Sequence, residues 1–164
     1  MMQLQTRIWL MLLISLFQMS SAFAANKQVI GWLENVKVDN SDFQLKAKID
    51  TGATTSSLNA KVIKTYIKDN EDWLRFSVTN KDDQNVMLER KVERYVKIKR
   101  KSAKSVERPV IKLGVCIENV YRELEVNLAN RNNFEYHMLI GRNFLQGYFL
   151  VDSELVYQSS PSCK

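Results

Sequence analysis

The turn that decides the fold lies at residues 49–58, which read IDTGATTSSL. It begins at the end of residues 43–50, FQLKAKID, where apolar and polar side chains alternate. That alternation predicts a strand with one buried and one exposed face. Gly52 allows the chain to turn sharply after the strand, and nearby donors can hold Asp50 at the turn. An Asp-Thr-Gly triplet alone is a modest signal, because an ordinary strand end capped by a polar turn uses the same residue types.

A second informative segment lies near the C-terminus, at residues 138–145, which read MLIGRNFL. The pattern predicts a short apolar strand at Met138–Gly141, a single helical turn at Arg142–Gln146 and another apolar strand at Tyr148–Asp152. Further predicted strands lie between the two segments. The chain thus has a turn at residues 50–53 after one strand and Gly141 at the end of another.

Most of the remaining pattern is also that of β-structure. Polar turns separate the further predicted strands, which are Val29–Val38, Trp73–Thr79, Asn85–Glu89, Val92–Lys99, Val106–Leu113 and Tyr121–Leu128. Many short strands at close spacing predict a small all-β barrel or sandwich. We expect residues 25–28 and 159–164 to be frayed ends.

The two segments together resemble retropepsins, the single-domain aspartic proteases of retroviruses. The chain more closely resembles the bacterial retropepsin-like aspartic endopeptidases, a family often labelled as ATP-dependent zinc proteases. The matching stretches are residues 49–58, 73–76, 106–111 and 138–142. The resemblance implies an all-β fold with one short helix, a small closed β-barrel of the retropepsin type that forms one domain over residues 25–164.

The resemblance also implies an endopeptidase that needs two copies of the chain. In such enzymes two aspartates share one proton and activate a water molecule between them. Asp50, Thr51 and Gly52 match one such catalytic motif. The segment around Asp152 opens like a second motif but has Glu154 where the glycine should be, so we interpret Asp152 as a strand-end residue. The mechanism therefore implies a homodimer with Asp50 from each subunit on the symmetry axis.

Other site residues follow from the same resemblance. It implies structural roles for Gly141, Arg142 and Asn143. Viral enzymes usually have an aspartate where this chain has Thr54, and that aspartate pairs with the arginine, so Arg142 must find another partner here.

Residues next to the catalytic turn and at the tip of a hairpin are the predicted substrate contacts. Ala53 and Thr54 belong to the turn. Lys101 and Lys104 belong to residues 92–112, which occupy the place of the flap that closes over substrate. The predicted flap tip has no glycine, unlike a viral flap.

The residue inventory argues against metal and nucleotide chemistry. His137 is the sole histidine, and a lone histidine beside a strand is usually a structural residue. There is no GxxxxGK[ST] phosphate loop. We therefore predict no metal ligand and no cofactor.

Positive charge is concentrated in one segment. Residues 89–112 contain ten basic and three acidic side chains, a net charge of +7, in a chain of net charge +6. The purely structural interpretation is a solvent-exposed hairpin whose lysines prevent aggregation. The functional interpretations are contact with an acidic substrate or an anionic membrane surface, centred on residues 97–104. Because the remainder is not basic and carries no recognised motif, we predict no nucleic-acid partner.

The N-terminus predicts export. Arg7 precedes an apolar run, and residues 22–24, AFA, fit a signal peptidase site. The predicted signal peptide is residues 1–24, and a periplasmic or secreted location follows; the run is too short to be a comfortable membrane anchor. Cys116 and Cys163 could pair in an oxidising compartment, although a free, buried Cys116 is an equal alternative.

Two functions remain open at this point. One is an exported aspartic endopeptidase that acts on a peptide or protein through Asp50. The other is a non-catalytic module of the same fold that binds an envelope peptide or an anionic partner through residues 97–104.

Overall fold

The structure is a computed structural model that describes residues 27–39, 41–100, 103–158 and 160–163. These residues form ten strands and one short helix. The elements are β1 (Gln28–Val38), β2 (Gln44–Ile49), β3 (Ser56–Asn59), β4 (Lys61–Lys68), β5 (Glu71–Thr79), β6 (Asn85–Arg100), β7 (Ala103–Ile117), β8 (Val120–Ala129), β9 (Met138–Ile140), α1 (Arg142–Leu145) and β10 (Phe149–Val156). None of the described helices is both long and apolar enough to cross a bilayer.

The strands form one sheet that is partly closed into a ring. Their order is β10-β1-β2-β9-β3-β8-β7-β6-β5-β4, and β1 also pairs with β7. That extra pairing joins Lys37 to Cys116 and Val38 to Val115, so the six strands from β1 to β7 in this order form a ring. β6, β5 and β4 extend the sheet beyond β7, and β10 covers the other side of β1. The predicted all-β fold with one short helix is confirmed.

Alternating side chains build the core as the sequence predicts. In β2, Leu45, Ala47 and Ile49 are buried, and the intervening Gln44, Lys46 and Lys48 are exposed. β2 pairs with β1 on one side and with β9, in parallel, on the other. Pairing on both edges thus holds β2 inside the ring, and the strand ends at Ile49, directly before Asp50.

Two strand predictions need correction, and one strand was not predicted. Residues 85–89 and 92–99 are one continuous strand, β6, because Arg90 and Lys91 at the expected break pair with β5 and the pairing with β7 begins at Val92. β4 was not predicted, since nearly all its side chains are exposed and give no buried stripe. β10 continues through Asp152 to Val156, so Asp152 lies within a strand and not at its end.

The C-terminal segment is tied to the body of the protein, contrary to the expected fraying of residues 159–164. Cys163 forms a disulfide with Cys116 on β7, with Cα atoms 6.1 Å apart, so the alternative of a free Cys116 is wrong. Ser162 N donates to Glu118 O, and Pro161 is buried. At the other end, Gln28 is already part of β1.

A fully buried carboxyl lies beneath this C-terminal segment. Glu34 Oε1 accepts a hydrogen bond from Gly31 N at 2.6 Å, and Gln158 N donates to Oε2 at 3.2 Å. Burial raises the pKa of Glu34, and these backbone hydrogen bonds oppose the shift. Glu34 therefore joins β1 to the residues that follow β10.

Candidate active site

Asp50 stands where β2 ends and β9 runs alongside. Its backbone N donates to Ile140 O at 2.8 Å, one residue before Gly141. Ile49 and Ile140 are register partners in the parallel β2–β9 pair. The two informative segments of the sequence therefore meet at this point, although about 90 residues separate them.

Backbone N–H groups of the turn hold the Asp50 side chain. Oδ1 accepts from Gly52 N at 2.9 Å and from Ala53 N at 3.1 Å. Ala53 N also lies 3.2 Å from Asp50 O. Since both donors converge on Oδ1, one oxygen of the carboxylate is anchored by the backbone of the turn.

Gly141 allows the turn to pack directly on the chain after β9. A Cβ atom at this position would lie 2.9 Å from Thr55 C, 3.0 Å from Ala53 O and 3.1 Å from Ser56 N. All three atoms are backbone and cannot rotate away. A glycine is thus required by the close approach of two backbones, and we call residues 50–56 the Asp50 loop.

Arg142 clamps the Asp50 loop from below. Its Nη1 donates to Thr51 O and Gly52 O, both at 2.8 Å, and its Nη2 donates to Thr54 Oγ1 at 2.9 Å. Its backbone N donates to Ala53 O at 2.8 Å. Arg142 therefore binds backbone oxygens of the Asp50 loop and the hydroxyl of Thr54. These atoms are its partners in place of the aspartate that viral enzymes have at position 54.

Asn143 completes the clamp through Ser56. Asn143 Oδ1 accepts from Ser56 N at 3.1 Å and from Ser56 Oγ at 2.9 Å. Gly141 N donates to the same Oγ at 3.0 Å, and Asn143 Nδ2 donates to Glu125 O at 2.8 Å. The amide thus joins the Asp50 loop, the helix α1 and β8 in one network.

Two arginines that no sequence motif selects, Arg108 and Arg131, interact with each other, and Arg131 also interacts with the Asp50 carboxylate. Burial lowers the pKa of Arg131, the charge of Arg108 lowers it further, and the charge of Asp50 opposes both effects. Arg131 is therefore close enough to both Asp50 and Arg108 to be affected by their charges. In the sequence, Arg108 is one of the ten basic residues of the segment 89–112, and no local pattern marks Arg131.

Contacts on several sides hold the two arginines. Arg131 Nε donates to Tyr136 O at 3.2 Å, and its guanidinium lies 4.6 Å from the centre of the Phe134 ring. Arg108 Nη1 donates to Asn127 Oδ1 at 3.3 Å. Such contacts place the charges in defined positions, as a substrate-binding surface requires.

The expected flap is a long hairpin formed by β6 and β7. We call residues 92–111 the flap hairpin. Arg108 lies in this hairpin opposite Val96, and the Arg94 side chain joins the hairpin to Glu125 of β8 at 2.6 Å. Of the predicted substrate contacts here, Lys101 lies outside the described residues, and Lys104 is defined only as a backbone position in β7.

The remaining predicted residues divide between the surface and the loop network. The Thr51 and Gly52 positions are exposed, whereas Ala53 and Asp50 are half-buried. The half-buried His137 contacts the backbone, with its Nδ1 3.0 Å from Thr79 O. Across the described part of the chain, no three His, Cys, Asp or Glu side chains are grouped as metal ligands would be.

The fold and the loop geometry agree with a comparison against protein families. The model of the RimB-like family, described as "Retropepsin-like aspartic endopeptidase RimB", matches residues 29–161. The chain belongs to this family. Membership confirms the resemblance that the Asp50 loop and residues 138–142 carry.

The chain is also similar to part of longer proteins that carry a different name. A probable alpha-L-glutamate ligase from Desulfotalea psychrophila is 32% identical over 119 residues, which cover 68% of this chain and 25% of that protein. A protein of the same name from Shewanella pealeana is 32% identical over 111 residues, which cover 66% of this chain and 24% of that protein. The chain thus spans about a quarter of the length of these curated relatives.

A solved structure has the same fold over nearly its whole length. It is the crystal structure of Lpg0085, a protein of unknown function (DUF785) from Legionella pneumophila. It is 31% identical, with a TM-score of 0.70, and the match covers 81% of this chain and 98% of that one. The RimB-like fold described here is therefore also that of a compact solved chain.

Proposed function

We propose that the protein is an exported aspartic endopeptidase whose active site forms when two copies bring their Asp50 loops together. The observation that carries the proposal is the clamp on the Asp50 loop. Arg142 and Asn143 hold the loop through backbone and side-chain atoms, and two N–H groups orient Asp50 Oδ1. A polar turn that merely ended a strand would not need such a network.

Two aspartates are required by the chemistry of peptide hydrolysis without a covalent intermediate. Two carboxylates at short distance cannot both remain ionised, so they share one proton and titrate as a pair. The ionised Asp50 removes a proton from the bound water, and the protonated Asp50 of the partner copy polarises the scissile carbonyl. Each copy supplies one half of this site, so the homodimer is part of the proposed mechanism. In the proposed dimer the exposed Thr51 contacts the partner's loop.

Acidic peptides are the substrates that the site's electrostatics favour. Arg131 lies within electrostatic reach of Asp50 and of Arg108, and Arg108 is part of a hairpin rich in basic residues. Guanidinium groups bind carboxylates with two parallel hydrogen bonds. The name of the curated relatives, alpha-L-glutamate ligase, points in the same direction. We therefore propose that chains of α-linked glutamate residues are bound and cut here.

Export is supported by two independent features. The predicted signal peptide over residues 1–24 directs the chain out of the cytosol. The Cys116–Cys163 disulfide fits an oxidising compartment. A periplasmic or secreted location is thus part of the proposal.

The decisive experiment replaces the proposed catalytic aspartate. Purified residues 25–164 are incubated with a peptide of ten α-linked glutamates, and products are measured by mass spectrometry. We expect Asp50→Asn to reduce kcat/KM by at least about 1,000-fold, because general acid–base catalysis is lost at both halves of the site. Its circular dichroism and thermal unfolding should remain those of the wild type.

The matched control for this experiment is Asp152→Asn. Asp152 lies within β10, where its Oδ1 accepts from Glu154 N at 2.9 Å, so its loss should leave cleavage unchanged. Full hydrolysis by Asp50→Asn contradicts the proposal. So does a strict monomer in analytical ultracentrifugation under conditions where the wild type cleaves the peptide.

The second candidate function is binding without catalysis. The feature that favours it is the flap hairpin, which is basic and whose predicted tip has no glycine. Binding of an envelope peptide or anionic partner through residues 97–104 should weaken with added salt and should not change in Asp50→Asn. Salt-independent binding excludes this candidate.

A further inference from the structure

β4 is the last strand of the sheet, and among the described residues no further strand pairs with its outer edge. It reads KVIKTYIK, and nearly all its side chains are exposed. Three of them are lysines, Lys61, Lys64 and Lys68. Lysines on an edge strand often serve only to prevent aggregation, so the sheet face to which they point decides whether they can form a binding surface.

A β-bulge at Ile63 places all three lysines on the same face of the sheet. The register of β4 against β5 shifts between Val62 and Lys64, so Ile63 is an extra residue in β4. Without the bulge, the side chains at positions 61 and 64 would point to opposite faces, because side chains alternate along a strand. The three lysines instead lie opposite residues of β5 that share one face: Ser77 for Lys61, Arg75 for Lys64 and Glu71 for Lys68.

Aromatic and apolar side chains lie among these lysines. Tyr66 pairs with Trp73 on the same face. The Lys64 ammonium lies 5.6 Å from the centre of the Tyr66 ring, and the Lys68 ammonium lies 4.8 Å from the centre of the Trp73 ring. Met87 of β6 belongs to the same face and is 52% exposed. We call this side of β4, β5 and residues 85–91 the lysine face.

The lysine face has an excess of positive charge. Its residues are all described by the structure, and its two acids, Glu71 and Glu89, are engaged within the face. Arg75 Nη2 donates to Glu89 at 2.9 Å, and a side-chain hydrogen bond joins Glu89 to Tyr66. Lys91 Nζ lies 2.7 Å from Glu71. Five basic and two acidic side chains leave a net charge of +3, which equals the charge of the three β4 lysines.

This combination of side chains favours an anionic bilayer as the partner. Lysines near a membrane surface are attracted by lipid phosphates, and Trp and Tyr rings are favoured at the level of the headgroups. A second copy of the chain is disfavoured, since two such faces would bring lysines of equal charge together. Of the acids next to the face, Asp72 is on the opposite side of the sheet, where Tyr95 Oη donates to it at 3.0 Å, and Asp69 lies in the turn after β4.

We propose that the lysine face binds the surface of an anionic phospholipid bilayer. The three β4 lysines contact the phosphate groups, and Tyr66 and Trp73 enter the headgroup layer. The inference goes beyond the proposed function, because it requires neither Asp50 nor a dimer. It assigns to the end of the sheet a binding surface separate from residues 97–104.

Vesicle binding tests whether the partner is an anionic bilayer. The mature chain, residues 25–164, is sedimented with vesicles made of equal parts of phosphatidylcholine and phosphatidylglycerol, or of phosphatidylcholine alone. We expect binding to the anionic vesicles and not to the neutral ones, and we expect added NaCl to weaken it. Equal binding to both kinds of vesicle, or binding to neither, overturns the proposal.

Replacement of the β4 lysines tests the location of the surface. The triple variant Lys61→Gln, Lys64→Gln, Lys68→Gln should reduce the partition coefficient by about 100-fold, since each lysine near a membrane surface contributes about 5-fold. Its circular dichroism should be that of the wild type, because these side chains are exposed.

The matched control removes the same charge from exposed positions on β2 and β7, through the substitutions Lys46→Gln, Lys48→Gln and Lys112→Gln. It should weaken binding by less than about 5-fold, the contribution of one lysine at the surface. Equal losses in the two triple variants show that net charge alone drives binding, and they overturn the proposal.

Trp73 reports directly on contact between the lysine face and the bilayer. In a Trp32→Phe variant, Trp73 is the sole tryptophan of residues 25–164. Its fluorescence should shift to shorter wavelength on binding and should be quenched by brominated lipids. A Trp73 that stays unquenched in protein bound to vesicles overturns the proposal.

The alternative occupants give different results. If the β4 lysines are needed for binding of a peptide of α-linked glutamates but not of vesicles, the face binds acidic peptides and the bilayer proposal is wrong. If vesicle binding is lost in Lys97→Gln, Lys101→Gln, Lys104→Gln and not in the β4 variant, the membrane contact belongs to the flap hairpin. Vesicle binding that depends on the β4 lysines in a protein that cleaves no peptide leaves this inference standing and removes the proposed endopeptidase.

Discussion

The Asp50 loop and the flap hairpin carry neighbouring parts of one candidate site but are held by different forces. The loop is fixed by short hydrogen bonds from Arg142 and Asn143 and by the close approach of backbone at Gly141. The flap hairpin is joined to β8 at its base by an ion pair between Arg94 and Glu125, whose side chains are 45% and 40% exposed. Steric and hydrogen-bond constraints thus hold the Asp50 carboxylate, whereas an exposed ion pair that salt can screen acts at the flap hairpin.

The largest effect should come from the closest backbone approach. Gly141→Ala places a Cβ within 2.9–3.1 Å of three backbone atoms of the Asp50 loop, so one of the two segments must move. We expect a loss of about 3 kcal/mol in the free energy of unfolding, measured by urea denaturation.

Gly52→Ala is the control for this substitution. There the new Cβ meets only Asp50 Oδ1, at 3.2 Å, and a side-chain atom can yield. We expect a cost below about 1 kcal/mol in stability, although cleavage should suffer. Equal destabilisation by the two variants contradicts the view that backbone contact, and not glycine content, shapes the loop.

A smaller effect is expected from the hydrogen-bond network. Asn143→Ala removes the acceptor for Ser56 N and Ser56 Oγ and the donor to Glu125 O. The partly buried groups left behind should cost about 2 kcal/mol in unfolding free energy. Asn133→Ala, on an exposed turn, should change it by less than about 0.5 kcal/mol. If both variants unfold at the same urea concentration, Asn143 does not stabilise the loop.

The smallest effect should come from the flap hairpin. Arg94→Gln breaks the ion pair with Glu125 and should cost about 0.5 kcal/mol at low salt, and less in 1 M NaCl. The hydrogen bonds from Arg94 lower the pKa of Glu125. The stabilisation is therefore present above the ordinary glutamate pKa, about 4.3, and is lost as pH falls through the lowered value.

Thermal unfolding measured at pH 7 and at pH 3 checks this pH dependence. The difference in Tm between wild type and Arg94→Gln should shrink at the lower pH. A difference that grows on acidification, or one that does not respond to salt, removes the distinction drawn between the two regions.

Much of the fold near Asp50 could be predicted because its signals are local. The alternation of Leu45, Ala47 and Ile49 with lysines and a glutamine marks a half-buried strand wherever it occurs. The apolar residues before Gly141 and the helical turn after it are equally local. β4 gave no such signal, since a strand exposed on both faces has no periodic pattern to detect.

The residues that surround the carboxylate were harder to predict because they come from distant parts of the chain. Arg131 reaches the site through a loop whose sequence shows no motif, and its charge matters only because folding places it near Asp50. The partners of Arg142 are mainly backbone oxygens, which no sequence motif can name.

The sequence alone is sufficient to specify strands, a sharp turn at Gly52 and an excess of basic residues at 89–112. Periodicity and turn preference act over a few residues and can therefore be recognised from the sequence alone. Long-range packing alone settles that Cys116 meets Cys163 and that Arg142 grips the Asp50 loop. These contacts join residues far apart in sequence, and their partners are chosen by the closure of the sheet, which no short segment encodes.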